Sequence, residues 1–436
     1  MQSIDLRIDA AWIVPVEPSG ALTGHALIVD GGKIVAVVPA SQADAKYAPR
    51  ERVHLPDHVV IPGLVNAHTH SAMTLMRGIA DDVPLQPWLR EHIWPRENRF
   101  MSPEFVHDGT MLACAEMLRG GVTACNDMYF YPGDAARAYE EAGMRALIGM
   151  PILDFPTAYA ADAEAYLARG LEARDVWKRV PHLAFALAPH APYTVGDATF
   201  AKVVTYANQL DLPIETHLAE TLCEVHDARA ATGASTLARL DTLGATGPNF
   251  IAIHAVHLEA GDVATLVRHR CHVVHCPASN MKLASGIAPV TAFIEAGINV
   301  ALGTDGAASN NRLDMLSEMR LASLLAKVST GDAAALPAAT VLSMATINGA
   351  RALGFDDAIG SLVAGKDADI VAVDLGRVTT QPVFDPVSHL VHVAERGDVS
   401  DVWVRGRRMV ASGSLIGLDE AAILARTRVW QHKLHA

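Results

Sequence analysis

Eight short apolar runs punctuate the middle of this chain, and they restrict its fold more than any other feature. They lie at 65–68, 122–127, 146–153, 183–190, 213–217, 250–254, 272–276 and 299–305, separated mostly by helix-like stretches of about 15–30 residues. Strand-length runs alternating with helices pair in parallel, because each helical crossover returns the chain to the same end of the sheet. Eight such units fit an α/β fold of the closed (β/α)8 TIM-type barrel better than an open sheet. In a barrel the C-terminal ends of all strands share one mouth. Six of the runs end at or beside a polar residue able to do chemistry: His68, Asp127, His190, His217, His254 and Asp305. Residues about 240 positions apart can therefore meet at one site.

The flanks have a different texture. Short β-rich segments at 13–15, 26–30 and 34–39 are separated by turn residues such as Gly31 and Gly32, and the pattern returns at 368–374 and 401–405 between Gly360, Gly365 and Gly406. Two β-rich ends predict a small discontinuous β-sandwich domain, 1–59 with 361–436, around a barrel at 60–360. The total of 436 residues exceeds the usual single-domain range and agrees with that division.

Several functional classes are disfavoured. No uninterrupted apolar run reaches about 18 residues, and no basic segment followed by an apolar stretch opens the chain, so neither a membrane partner nor a signal peptide is expected and the cytoplasm is the expected compartment. A formal charge of −13 without a long Lys/Arg block opposes a nucleic-acid partner. Cys114, Cys125, Cys223, Cys271 and Cys276 are odd in number and contain no C-x-x-C pair, which argues against a disulfide framework and a thiolate zinc site. They read as small buried apolar residues. A small molecule is the expected partner.

The strongest local signal is P-G-L-V-N-A-H-T-H at 62–70. Histidines at i and i+2 on a strand face the same side, so His68 and His70 can reach one cation. An H-x-H pair alone also occurs in proteins without metal. His217 and Asp305, each ending its own strand, complete three imidazoles and one carboxylate, a set that suits one divalent ion, Zn2+ first, with Fe2+ or another first-row metal also compatible. Glu220 follows His217 by three residues and, at a barrel mouth, is placed for acid-base work beside the metal rather than as a solvated charge. His254 has apolar neighbours and fits either a hydrogen-bonded core position or a catalytic one. His190 fits a substrate contact or a turn-stabilising role. His257, His272 and His275 read as structural. The glycine-rich run at 303–311 lacks phosphate-loop spacing; its small residues instead let the backbone crowd a metal held by Asp305. No lysine lies in 183–190, so a carbamylated lysine bridging two metals has no donor there, and a single metal follows.

Taken together, P-G-L-V-N-A-H-T-H, T-L-M-R-G at 74–78, the His217/Glu220 pair, G-T-D-G-A-A-S-N-N at 303–311 and G-x-x-x-x-G-K-D-A-D at 360–369 resemble the amidohydrolase superfamily over nearly the whole chain. Within it the chain most resembles the 5'-methylthioadenosine/S-adenosylhomocysteine deaminases. The resemblance implies a hydrolytic deaminase of an adenine nucleoside, with homo-oligomeric assembly. It also implies that Glu220 contacts the base, that Glu220, His254 and Asp305 carry the proton transfers, that Trp88 packs near the 5' side, that Glu97 binds the ribose hydroxyls and that His190 touches substrate. Trp88 and Glu97 would also suit a simple cover for the barrel mouth. A triazine chlorohydrolase or a guanine or pterin deaminase would keep the metal site and change the leaving group or the ring.

One stretch departs from the family. Relatives that accept S-adenosylhomocysteine carry arginines after the third strand, whereas Gly149-Met150-Pro151 supplies no cation here. A guanidinium is the natural bidentate partner of a carboxylate. Its loss, with Met150 in place, favours a neutral thioether tail such as that of 5'-methylthioadenosine, unless Arg169 or Arg174 compensates from a loop.

Overall fold

The computed structural model describes residues 1–435. Four strands come first: β1 (Gln2–Ile13), β2 (His25–Asp30), β3 (Lys33–Pro39) and β4 (Tyr47–Pro62). The eight expected barrel strands follow as β5 (Leu64–Thr69), β6 (Val122–Met128), β7 (Arg145–Ile152), β8 (Leu183–Pro189), β9 (Ile214–Leu218), β10 (Phe250–His254), β11 (His272–His275) and β12 (Asn299–Leu302). The chain then adds β13 (Ile370–Asp374), β14 (Val399–Val404), β15 (Arg407–Ala411) and β16 (Ser414–Leu415).

Strands β5 to β12 lie side by side in sequence order, the arrangement of a (β/α)8 barrel. Past the end of β12, the Asp305 backbone N–H donates to the His68 carbonyl on β5 at 3.0 Å, bringing the last strand's exit against the first. Every residue of β5, β6, β7, β9 and β10 is buried, as expected where both faces of a parallel sheet are covered. Burial of a polar side chain costs about 1–3 kcal/mol when it lacks a partner, so the polar strand ends need hydrogen bonds or a ligand.

The terminal segments form one eight-stranded mixed sheet in the order β16-β15-β14-β13-β4-β1-β2-β3. Strand β2 shows why it holds: Leu27 and Val29 enter one apolar cluster, while Ala26 and Ile28 enter another on the opposite face. Strand β1 is much longer than the segment at 13–15 that the apolar pattern suggested, and β4 carried no such signal. β1 buries Arg7, whose charge is met by Asp9 at 2.8 Å and Asp44 at 2.6 Å. β4 contains Pro49 and Pro56, which ordinarily argue against a strand, and its parallel pairing to β1 shifts register between Ala10 and Trp12.

By packing, the chain divides into two compact units. One comprises 1–66, 115–124 and 314–418 and contains the terminal sheet; the other comprises 67–114, 125–313 and the chain from Asp419 onward, with the ends of the barrel strands. In the second unit the C-terminal helix Glu420–His435 sets Trp430 against Phe105 and donates from Trp430 and Arg426 to the buried Asp108, each at 2.9 Å. Cys114, Cys125, Cys271 and Cys276 are buried as expected, but Cys223 is exposed on the helix Leu222–Thr232, with Asp227 one turn on. Its place on the solvent face of a helix was not visible in a count of cysteines. Among the described residues, no helix is long and apolar enough to cross a membrane.

Candidate metal and active site

Histidines 68, 70 and 217 and Asp305 converge, their ligand atoms all within 4.8 Å of one another. His68 is on β5, His70 is one residue past it, His217 is on β9, and Asp305 follows β12. The Nε2 atoms of His68 and His70 stand 3.3 and 3.2 Å from Asp305 Oδ1, and His217 Nε2 faces His68 Nε2 at 3.3 Å. The distal ring nitrogens explain this orientation. His70 Nδ1 donates to the Met128 carbonyl at 2.5 Å, and His217 Nδ1 to the His190 carbonyl at 2.7 Å. With Nδ1 engaged, the His70 and His217 rings turn Nε2 into the cluster, where His70 carries a second proton against Asp305 until a cation replaces it. Lone pairs gathered this closely repel until a cation sits among them, so the donor set fits a metal ion of the zinc type.

The electrostatics agree. Burial pushes the Asp305 carboxyl up, but hydrogen bonds from His68 and His70 outweigh it and hold the group well below the usual carboxylate range. Burial likewise opposes a charge on His70, yet its contacts with Asp305 and the Met128 carbonyl push it up to about 9, whereas buried His68 falls to about 4. Burial and the neighbouring imidazoles hold His217 well below its ordinary value. A divalent cation would take the place of the His70 proton.

Close backbone approach makes the cluster possible. A Cβ on Gly303 would meet His68 N at 2.8 Å and His68 O at 3.0 Å, and one on Gly306 would meet Met73 Sδ at 3.0 Å. His254 and Asp305 take left-handed backbone conformations, with φ of 70° and 62°. Such strain in non-glycine residues persists only where the surroundings over-determine it.

The cluster forms the floor of a cavity of about 790 Å³, lined also by Trp88, Glu97, Tyr129, His190, Glu220 and His254. The metal, catalytic and substrate residues proposed from sequence are thus brought together, with His68 reaching the cluster from behind the cavity wall, where it is fully buried. Glu220 Oε2 lies 3.8 Å from His254 Nε2, and burial raises its carboxyl above the ordinary value despite His254 nearby. Burial also pushes His190 down to about 3; its Nδ1 pairs with Thr194 at 3.1 Å. Glu97 sits under Tyr129, whose hydroxyl donates to it at 2.7 Å; burial pushes Glu97 up to about 7, against the pull of that bond. Trp88 is buried, and its Nε1–H has no protein partner among the described residues.

Beyond Glu97 a second cavity of about 620 Å³ shares Trp94, Glu97, Phe130 and Leu153 with the first and adds Met101, Phe155 and Pro156. Neither cavity is lined by Lys or Arg among the described residues. Arg169 donates to the Tyr159 carbonyl and covers the Tyr159 ring, and Arg174 pairs with Asp175. Met150 is not in the cavity as expected: it is buried and packs against Gly170 of the helix Ala163–Trp177, because alternation along β7 points it outward. Pro151 and Leu153 line the cavity in its stead.

Sequence patterns did not single out Tyr129, Ser279, Asn280, Ser285 or Ser309, all of which bond the residues above. Ser309 lay inside the quoted 303–311 motif, and Tyr129 directly follows β6. The others follow β11, where the end-of-strand rule could have pointed to them. His257 and His272 serve structural contacts, His257 Nε2 meeting the Ser285 carbonyl at 2.5 Å and His272 Nδ1 meeting Asn299 at 2.9 Å.

Residues 59–409 match the model of the amidohydrolase family. The chain belongs to that family. This amidohydrolase is 45% identical over 435 residues to the 5-methylthioadenosine/S-adenosylhomocysteine deaminase of Teredinibacter turnerae, covering 100% of this chain and 98% of the relative. It is 44% identical over 371 residues to a 5'-deoxyadenosine deaminase of Methanothermobacter thermautotrophicus, covering 84% of this chain and 85% of that one. Among solved structures, an adenosine deaminase from Xanthomonas campestris with bound zinc superposes with a TM-score of 0.98 at 49% identity, covering 100% of this chain and 99% of the other.

Proposed function

We propose that this amidohydrolase replaces the 6-amino group of an adenine nucleoside by oxygen, releasing ammonia, with 5'-methylthioadenosine as preferred substrate and adenosine and S-adenosylhomocysteine as further ones. The observation that carries it is one cavity with a metal-ligand cluster, a buried carboxyl and a histidine at its floor and a second buried carboxyl, Glu97, where it meets an apolar annex. The names of the relatives support the same chemistry.

His68, His70, His217 and Asp305 would hold one divalent ion, Zn2+ by its donor set and by the zinc in the related structure. When bound, that ion supplies Lewis acidity and lowers the pKa of water toward about 7. Glu220, which burial disposes to keep its proton, delivers it to ring N1 as a water oxygen adds to C6. His254 and Asp305 orient that water and take its proton. The proton taken up by His254 and Asp305 passes to the amino group, which leaves as ammonia, while the C6 hydroxyl gives its remaining proton to the Glu220 carboxylate and the C6–O bond becomes a carbonyl. Glu97 accepts hydrogen bonds from the ribose hydroxyls, while Trp88 and His190 flank the substrate. The 5' substituent points to the annex, where no cation waits for a carboxylate; this supports the neutral thioether tail that the missing arginines first suggested.

The test is an ammonia-release panel on 5'-methylthioadenosine, adenosine and S-adenosylhomocysteine, run on the wild type and Glu220→Gln. 5'-Methylthioadenosine should give the highest kcat/KM, and the variant should keep its metal while losing about 10²–10⁴ in kcat. A ranking led by S-adenosylhomocysteine overturns the tail assignment. Near-normal turnover by the variant overturns the role of Glu220.

A further inference from the structure

The helix Pro277–Lys282 and the turn after it contribute none of the four converging ligand groups. Three of the segment's polar side chains are nevertheless buried: Ser279, Asn280 and Ser285 are 0%, 1% and 5% exposed. Each bonds a different member of the proton-handling trio. The Ser279 hydroxyl donates to Asp305 Oδ2 at 2.6 Å, Asn280 Oδ1 faces His254 Nδ1 at 2.9 Å, and the Ser285 hydroxyl donates to Glu220 Oε1 at 3.0 Å.

The Asn280 contact has the largest chemical consequence. An amide oxygen has lone pairs only, so the ring nitrogen facing it must carry the proton. The proton of neutral His254 then resides on Nδ1, leaving a free lone pair on Nε2, the nitrogen that faces Glu220 at 3.8 Å. That tautomer can accept a proton from water at the site; the other cannot. Ser279 matters less, because Asp305 Oδ2 also accepts from Ser309 at 2.8 Å and Oδ1 from the Gly306 N–H at 2.8 Å.

We propose that the segment 279–285 is the positioning element of the reaction, with Asn280 holding His254 in the tautomer that accepts a proton at Nε2, and Ser285 and Ser279 aiming Glu220 and Asp305. The inference rests on His254 acting as proton acceptor. Asn280 touches no reacting atom and is a positioning residue, so its loss should reach kcat through His254 and leave substrate affinity and metal binding alone.

The test measures kcat and KM for 5'-methylthioadenosine, and zinc per chain, in Asn280→Leu, Asn280→Asp, His254→Ala and the Asn280→Leu/His254→Ala double variant. Asn280→Leu removes the acceptor and should lower kcat about 100-fold with KM and zinc unchanged. Asn280→Asp can only accept, so it should stay within about tenfold of wild type in kcat. In the His254→Ala background, Asn280→Leu should have no further effect. If Asn280→Leu does not fold, Asn280→Ala takes its place. Wild-type kcat in Asn280→Leu, a change confined to KM or zinc, an Asn280→Asp variant as impaired as Asn280→Leu, or additive losses in the double variant would each overturn the proposal. Undiminished turnover in His254→Ala would instead remove the assignment of His254 itself, on which the proposal stands.

Discussion

Glu97 shows what one buried side chain contributes to this site. A carboxylate accepts hydrogen bonds from two ribose hydroxyls, whereas its protonated form must place a proton of its own. Burial pushes Glu97 up to about 7, only partly offset by the Tyr129 hydroxyl, so the accepting form accumulates as pH rises through neutrality. kcat/KM for 5'-methylthioadenosine should therefore climb between about pH 6 and 8, and Glu97→Gln should flatten that limb. A variant profile with the same rise would assign it to another group. For folding the sign is opposite: with a folded value of about 7 against an ordinary 4.5, the folded state binds more protons across that window, and stability falls as pH rises through it. Trp88 and Glu97 were identifiable from the family resemblance, but the role of Tyr129, which donates to Glu97, was not, because it exists only where the exit of β6 meets the segment carrying Glu97.

Strand exits are the elements on which the site depends. β5, β9 and β12 each carry a residue of the converging set at or near their exits, and the backbone turns left-handed at Ala219 and Asp305 after β9 and β12. Gly303 is a tight point against backbone, since a methyl group there would meet His68 N at 2.8 Å and His68 Cβ at 2.9 Å. Gly303→Ala should force β12 from β5, costing about 1–3 kcal/mol by overpacking. Asp305, two residues on, would shift with it. Both a lower thermal midpoint and less than one zinc per chain are expected; a wild-type midpoint with full zinc would mean that the strands can part freely. These strands were legible from sequence because continuous burial selects continuous apolar runs. β1 was not, since Asp5, Arg7 and Asp9 interrupt the pattern, and the pairing of Arg7 with Asp9 is completed by Asp44 and Arg52 from elsewhere in the fold.

For the molecule as a whole, the bound ion should act as a clasp between residues 68 and 305, far apart in sequence and adjacent in space. A ligand that binds only the folded chain adds about 2.7 kcal/mol at a free concentration of 100 times its Kd. Chelation should lower the thermal midpoint and abolish deamination together, and added Zn2+ should restore both; an unchanged midpoint in verified metal-free protein would show that the barrel closes without it. Lower pH should weaken binding, because the His70 proton that Asp305 stabilises must leave before the metal enters. Local periodicity and run ends, being properties of neighbouring residues, determined by themselves the eight strands, the shared mouth and the histidine-aspartate set. Tertiary structure alone decided which buried polar groups meet: Asn280 with His254 across 26 residues, Ser285 with Glu220 across 65, Met150 turned from the cavity, and Cys223 at the surface. A strand is selected by backbone geometry and average burial, whereas a hydrogen bond between distant elements depends on their packing to a fraction of an ångström, which no local pattern encodes.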